Sequence, residues 1–450
     1  MRKNIIASKI ISLVLVVAVA LPLLFFDVLG RGIYEEVEDT DYSITFYWGP
    51  SYKDFTDAEV TRMKEAGFDV ATIYNMPWGD YSSEKHGIYQ IYECVEKLQA
   101  QGLNASVNDG RISGLIDKSR LDITREEMEK QIRRVKEYLK DRGLDNITEF
   151  YLADEPPLEL APVLKIAVEL MREYFPDCTT YINLLPIYAH PDVVGTYNYE
   201  EYVETYARDV NPDYLCTDYY TFVAGMPRVS YAENLEIIKK YAEKYDLETR
   251  FIVLCSQHLV YKNVTRQEIS WQANLSLLYG NKQLSWFTYS HPEEGYYNEM
   301  IDKDGNATQH YYDIQAENKV NRVLGNALYN TDVDRVFSVG AGIPKMEEYS
   351  SYGKLGEIIS GSGMFVSFYD NDYFMMMSKY SEGVIESTVT ADVISGLLWC
   401  NPETNRWEGI ASCPYVKGDT VTLTAGRRIC GVWKTPWSRP SPVLTSWRKT

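Results

Sequence analysis

Histidine, cysteine and net positive charge are what this 450-residue chain has least of. Its five histidines and seven cysteines contain no CxxC pair and no His–Cys cluster, so no zinc-type site is expected and no cofactor is implied. Lys and Arg number 45 against 64 Asp and Glu, a formal net charge of −19. Without a basic field to steer a phosphate backbone, nucleic acid is excluded as a partner. No glycine-rich loop follows the first strand-like segment and no nucleophile elbow is present, which removes dinucleotide enzymes and serine hydrolases of that kind. Cys94, Cys178, Cys216 and Cys255 sit in or beside apolar segments and read as small buried hydrophobes, whereas one disulfide among Cys400, Cys413 and Cys430 stays open.

What the chain does have is apolar and aromatic mass: 45% hydrophobic residues, 37 tyrosines and 9 tryptophans, enough for a sizeable core and more than one domain. The aromatic surplus suits flat ligands as well as ordinary cores. Arg2, Lys3 and Lys9 precede an apolar run from Ile10 to Phe26. Residues 1–34 therefore read as a signal peptide or an N-terminal membrane anchor. No small-residue cleavage pattern follows, which favours an uncleaved anchor through residues 10–26 with the body secreted or at the cell surface, outside the cytoplasm. A cleaved signal is the alternative.

From Ser43 to Leu328 a strand-like run followed by an amphipathic stretch recurs eight times. The strands begin with "SITFYWG" (43–49) and end with "KQLSWFTYS" (282–290), and the helices include "TREEMEKQIRRVKEYLKDRG" (124–143), with charges four apart on its polar face. Eight such units in under 300 residues predict an α/β chain: a (β/α)8 TIM barrel over residues 35–328. After Leu328 the period shortens to strand-like runs with glycine-rich turns, predicting a small all-β, sandwich-like C-terminal domain over 329–450.

In such barrels chemistry lies at the C-terminal ends of the strands. Those ends carry Trp48 beside Tyr47, then Trp78, then Asn108 and Asp109 with Arg111 nearby. The fourth delivers Asp154 and Glu155, the fifth Asn183, and the sixth Asp218, Tyr219 and Tyr220. Gln257 and His258 follow the seventh strand; Trp286, Tyr289 and His291 lie on or after the eighth. A carboxyl at such a mouth protonates a leaving oxygen when burial or a neighbouring charge raises its pKa, and Asp154 supplies that charge to Glu155. The same pair also suits the start of the helix near Leu158, where negative charge is favourable. Trp48, Trp78, Trp286 and Tyr289 are candidate stacking walls for a ligand, and Asn108, Asp109, Asn183, Gln257, His258 and His291 candidate hydrogen-bonding partners for it. None of these reads as a metal ligand.

The strand-four Glu followed by Pro, the strand-eight Trp and the segment "WQANLSLLYGNKQLSWFTY" (271–289) together resemble (β/α)8-barrel glycoside hydrolases. The resemblance implies a hydrolase of O-glycosyl bonds acting on an oligosaccharide or glycoconjugate. The large retaining clan of that kind has Asn before its strand-four acid and a nucleophilic Glu on strand seven. Here Asp154 takes the first place and "RFIVLCSQHLVY" offers no carboxylate for the second. "DEP" at the end of strand four is similar instead to substrate-assisted N-acetyl-β-hexosaminidases and N-acetylgalactosaminidases. That likeness implies that Glu155 is acid and base, that Asp154 orients the substrate acetamido group, and that Tyr219 or Tyr220 bonds its oxygen. Two alternatives stay open: a retaining or inverting enzyme with Asp218 as second carboxylate, and a carbohydrate-binding protein without turnover. Sugar identity and oligomeric state are not legible.

Overall fold

In a computed structural model the chain is described over residues 35–74, 87–224, 228–340, 342–353, 355–360, 363–382, 384–389, 397–417, 420–424 and 430–434. Eight parallel strands close into a barrel in chain order: β1 (Ser43–Tyr47), β2 (Val70–Tyr74), β3 (Asn104–Asn108), β4 (Ile147–Asp154), β5 (Thr179–Leu184), β6 (Tyr214–Asp218), β7 (Glu248–Leu254) and β8 (Gln283–Phe287). The principal helices between and after them are α1 (Asp57–Glu65), α2 (Gly87–Ala100), α3 (Arg125–Lys140), α4 (Ala161–Tyr174), α5 (Tyr199–Thr205), α6 (Tyr231–Tyr245), α7 (Arg266–Leu278) and α8 (Gln309–Leu328). Local chemistry starts them where they start. Thr124 with Glu127, and Thr265 with Glu268, form reciprocal capping boxes that satisfy amide groups at the first turns of α3 and α7.

The barrel lumen is polar as well as aromatic. Arg250 on β7 pairs with Glu149 on β4 at 2.5 Å, and its guanidinium lies 4.6 Å and 4.4 Å from the ring centres of Tyr181 and Tyr214. Strands four and seven are not neighbours, so this contact crosses the lumen. Tyr214 also donates to Glu149, and Gln283 accepts from Arg250. The buried ion pair is thus surrounded by the hydrogen bonds it needs to be tolerated. Tyr47 and Tyr151, hydroxyl to hydroxyl at 2.8 Å, also join non-neighbouring strands across the lumen.

The C-terminal strands are β9 (Val333–Val339), β10 (Glu347–Glu348), β11 (Ile358–Ser360), β12 (Met364–Tyr369), β13 (Tyr373–Ser378), β14 (Val384–Val389), β15 (Leu398–Asn401), β16 (Arg406–Gly409), β17 (Val416–Lys417), β18 (Thr420–Thr424) and β19 (Cys430–Lys434). They form an eight-stranded sheet, completed at one edge by Glu35–Glu36 pairing with β16, and a four-stranded sheet of β11, β14, β18 and β17. The residues at 35–36, expected to open the barrel domain, therefore belong to the C-terminal sheet. Alternation gives the large sheet two buried faces. Phe365, Tyr369, Met375 and Met377 join the core shared with the barrel, while Val366, Phe368, Phe374 and Met376 join a second core inside the module. Trp271 Nε1 on α7 donates to the Ser378 carbonyl at 3.1 Å, and the Tyr369 hydroxyl to that of Leu277 at 2.8 Å. Cys400 and Cys413 are buried thiols, and the Cys430 side chain lies outside what is described.

Residues 1–34 lie outside the described residues, as does Trp78. Among the described residues no helix is long and apolar enough to cross a membrane.

Candidate active site

The site begins with an irregularity in β4. Tyr151 is in register with Tyr181 on β5, but the next aligned pairs are Ala153 with Ile182 and Asp154 with Asn183. One extra residue on β4 therefore reverses the side-chain parity. Glu149 and Tyr151 point into the lumen, so simple alternation would put Ala153 inside and Asp154 outside. With the bulge, Asp154 faces inward beside Asn183, whose Nδ2 donates to its Oδ1 at 3.0 Å. Tyr47 and Tyr151 also hydrogen-bond this carboxyl. Glu155 follows in the left-handed region at φ 44°, its N–H held by the Asn183 carbonyl at 2.8 Å, before Pro156 and Pro157 lead into α4.

Asp218 reaches the same mouth by regular alternation on β6, where Tyr214 is two pairs below it. It is only 7% exposed, and its Oδ1 has no hydrogen-bond partner. Asp154 and Glu155 are open to water through the mouth, but the surrounding protein displaces much of their solvation. Burial raises Asp154, opposed by its bonds from Asn183, Tyr47 and Tyr151. Burial and then the Asp154 charge raise Glu155 to about 7. Burial, then Glu155 and Asp154, push Asp218 well above the carboxylate range. Three carboxyls thus share a region that does not readily accept three charges, and at neutral pH protons are held among them.

An aromatic wall faces these acids. Tyr220 is buried and close enough to Asp218, Glu155 and Asp154 for all three to raise its hydroxyl, after burial itself. Its ring lies 5.4 Å from Phe287, 5.1 Å from Tyr261 and 6.0 Å from His258. His258 stacks on Tyr296 at 4.8 Å, and its burial lowers its pKa. Tyr219, the other tyrosine expected here, bonds instead to Ser230 at 2.8 Å beside α6.

Several expected residues lie elsewhere. Trp286 is fully buried on the outer face of β8, its Nε1 donating to Asn318 on α8 at 2.9 Å. It does not line the mouth, because β8 turns Gln283, Ser285 and Phe287 inward and Leu284 and Trp286 toward the helices. Tyr289 is also fully buried, bonded to Glu59 on α1 at 2.6 Å and stacked on Phe46. Asp109 caps the short helix Gly110–Ser113 and is tied to Arg111 and Tyr92. Asn108 braces β4 through the Tyr151 carbonyl at 3.1 Å. The Gln257 backbone pairs with Tyr297. Trp48, with φ 61°, lines a groove with Tyr52, Ile73, Gln90, His291 and Pro292, and His291 is held by Glu299 at 2.7 Å. Among the described residues no group of three or more His, Cys, Asp and Glu is placed to hold a metal ion.

Phe287, Tyr261 and Tyr296 were not among the expected residues. Period-two counting from Gln283 would have found Phe287; the loop residues Tyr261 and Tyr296 carry no such signal.

No family model and no curated protein matches the chain. Among solved structures it is similar to a family 39 glycoside hydrolase from Bacteroides cellulosilyticus WH2, at 14% identity and TM-score 0.49, with 88% of this chain and 82% of that one covered. It is also similar to a β-galactosidase from Marinomonas ef1, at 9% identity and TM-score 0.47 over 63% of this chain and 60% of that one. A third is a β-galactosidase from Halorubrum lacusprofundi, at 12% identity and TM-score 0.46 over 62% and 58%. The chain thus spans less than two thirds of either β-galactosidase.

Proposed function

We propose that the protein is a glycoside hydrolase acting on a β-linked N-acetylhexosamine by substrate-assisted catalysis. The observation that carries this reading is the convergence of Asp154, Glu155 and Asp218 at the mouth of a barrel beside an aromatic wall. Asp154 accepts a hydrogen bond from Asn183 and lies against the paired hydroxyls of Tyr47 and Tyr151, which suits it to an orienting role. Glu155, with a pKa near 7, holds a proton it can release. Of Tyr219 and Tyr220, it is Tyr220 that lies close to the acids.

In the first step the acetamido carbonyl oxygen of the substrate attacks the anomeric carbon as the glycosidic C–O bond breaks. Glu155 gives its proton to the departing oxygen, while Asp154 stabilises the positive charge developing on the amide nitrogen. Water then attacks the anomeric carbon, Glu155 takes its proton, and the amide re-forms. The two inversions give net retention, and no protein nucleophile is needed at the mouth end of β7, where Val253 and Leu254 offer no carboxylate. The loss of solvation that raises the acids also strengthens these contacts. The body acts outside the cytoplasm, held to the membrane by residues 10–26.

A second reading uses Asp218 as nucleophile or base, favoured by its unpartnered Oδ1. Its raised pKa counts against it, because a nucleophile must be ionised where Glu155 is not.

The test is hydrolysis of aryl β-glycosides by the body from residue 35, pairing 2-acetamido sugars with their 2-hydroxyl counterparts. Turnover confined to the acetamido sugars, and abolished in Glu155→Gln, is expected. Turnover of 2-hydroxyl sugars that is lost in Asp218→Asn would replace this mechanism with the second. Sugar binding without turnover of either set would make the cleft a binding site only.

A further inference from the structure

Three successive loops at the mouth bring together Tyr188 after β5, Arg228 after β6 and Tyr261 after β7. The Arg228 guanidinium carbon lies 3.8 Å from the Tyr188 ring centre and 5.0 Å from that of Tyr261. The two tyrosine hydroxyls are 3.2 Å apart. Nη1 of Arg228 donates to the Tyr220 carbonyl at 2.8 Å, two residues beyond Asp218, and its backbone N–H to the Thr221 carbonyl at 2.9 Å. All three side chains are half-buried and so remain within reach of a ligand.

This arginine has no carboxylate partner among the described residues. In a chain of net charge −19 that needs a reason. Arg111, Arg172, Arg250 and Arg322 are each paired with an Asp or Glu. Arg228 is held at the Tyr220 carbonyl, two residues beyond Asp218, without an ion pair to that acid. Pinning the loop would need only its backbone bond and one N–H. A guanidinium seated 3.8 Å from a tyrosine ring centre keeps further N–H groups for a ligand, and its planar fork grips a planar or tetrahedral anion through paired bonds.

We infer that Arg228, Tyr188 and Tyr261 form a subsite for an anionic substituent of the glycan, a uronate carboxylate or a sulfate ester, on the sugar unit next to the one held by Asp154 and Glu155. Arg228 reads its charge, and the two tyrosine hydroxyls, 3.2 Å apart, offer hydrogen bonds to the same unit. This assignment rests on the glycan reading of the cleft, but concerns binding and not turnover.

The experiment is calorimetric titration of the full chain carrying Glu155→Gln, so that no ligand is consumed. The probes are a tetrasaccharide alternating uronate and N-acetylhexosamine, its carboxyl-reduced form, and a sulfated carboxyl-reduced form. Expected is binding of at least one anionic form about tenfold or more tighter than the neutral form. The preference should shrink at high salt, disappear in Arg228→Gln and persist in part in Arg228→Lys. Which anionic form gains identifies carboxylate or sulfate. Charge-blind binding, binding of none of the three, or a preference unchanged in Arg228→Gln overturns the subsite. Absence of turnover in the unsubstituted protein would overturn the hydrolase reading and leave an Arg228-dependent preference standing.

Discussion

Glu155 combines a raised pKa with a backbone conformation that side chains rarely adopt, and the two make separable predictions. As general acid it must be protonated, so kcat/KM of the 2-acetamido substrate should fall as pH rises through about 7. A profile flat from about pH 5 to 8 would remove Glu155 from the acid role. The linkage to stability has the opposite sign to that of a salt-bridged carboxylate. Folding raises the proton affinity of Glu155 from its ordinary 4.5, so stability is lost as pH climbs between 4.5 and about 7. The melting temperature of Glu155→Gln should therefore exceed that of the unsubstituted protein by a margin that widens from about pH 5 to pH 8. The φ of 44° adds a strain that glycine relieves and alanine does not. Glu155→Gly should accordingly be about 1 kcal/mol more stable than Glu155→Ala by denaturant unfolding, with both inactive. Equal stabilities would show that the left-handed backbone carries no cost here.

At the scale of elements, the barrel was legible because each of its eight units announces itself twice, by a strand-like run and by an amphipathic stretch after it. All eight strands lie within or within two residues of the segments read from sequence. Which side chains enter the mouth was less legible, since that depends on parity. On β4 the bulge after Tyr151 turns Asp154 inward, and no residue type there marks a bulge. On β8 the tryptophan drew the eye, while the alternation begun at Gln283 assigns the lumen to Phe287. Neighbours in sequence, these two aromatics should separate cleanly on substitution. Trp286→Ala removes a fully buried ring bonded to Asn318 and should cost about 3–5 kcal/mol of stability, with the KM of the folded fraction unchanged. Phe287→Ala loosens the wall formed with Tyr220 and His258 and should raise KM. A KM effect from Trp286→Ala with unchanged stability would return that tryptophan to the mouth.

At the scale of the whole molecule, the question is what the C-terminal module does for a barrel whose strands already close. None of the mouth residues identified above comes from it. It packs instead on α6 and α7, where Tyr231 and Trp271 meet Phe365 and the strand end at Ser378. This explains why α7 is buried around most of its circumference, polar Gln272, Asn274 and Ser276 included. Ile269, Trp271, Ala273, Leu275, Leu277 and Leu278 are all buried, because the helix lies between the barrel and a sheet instead of facing water. Sequence alone reads such a helix as core without saying which second layer covers it. The N-terminal side is tied to the same module, since Glu35–Glu36 pairs with Arg406–Trp407 and Lys434 Nζ reaches Glu35 at 2.5 Å. Barrel and module therefore share one continuous core and should unfold together. Calorimetry of the body from residue 35 should show a single transition, and a chain ending near residue 330 should aggregate through the uncovered Trp271 and Tyr231 face. Two resolved transitions, or a soluble truncated barrel with full activity, would make the module an appendage. The single transition would instead mean that the mouth chemistry depends on a brace on the far side of the helix ring.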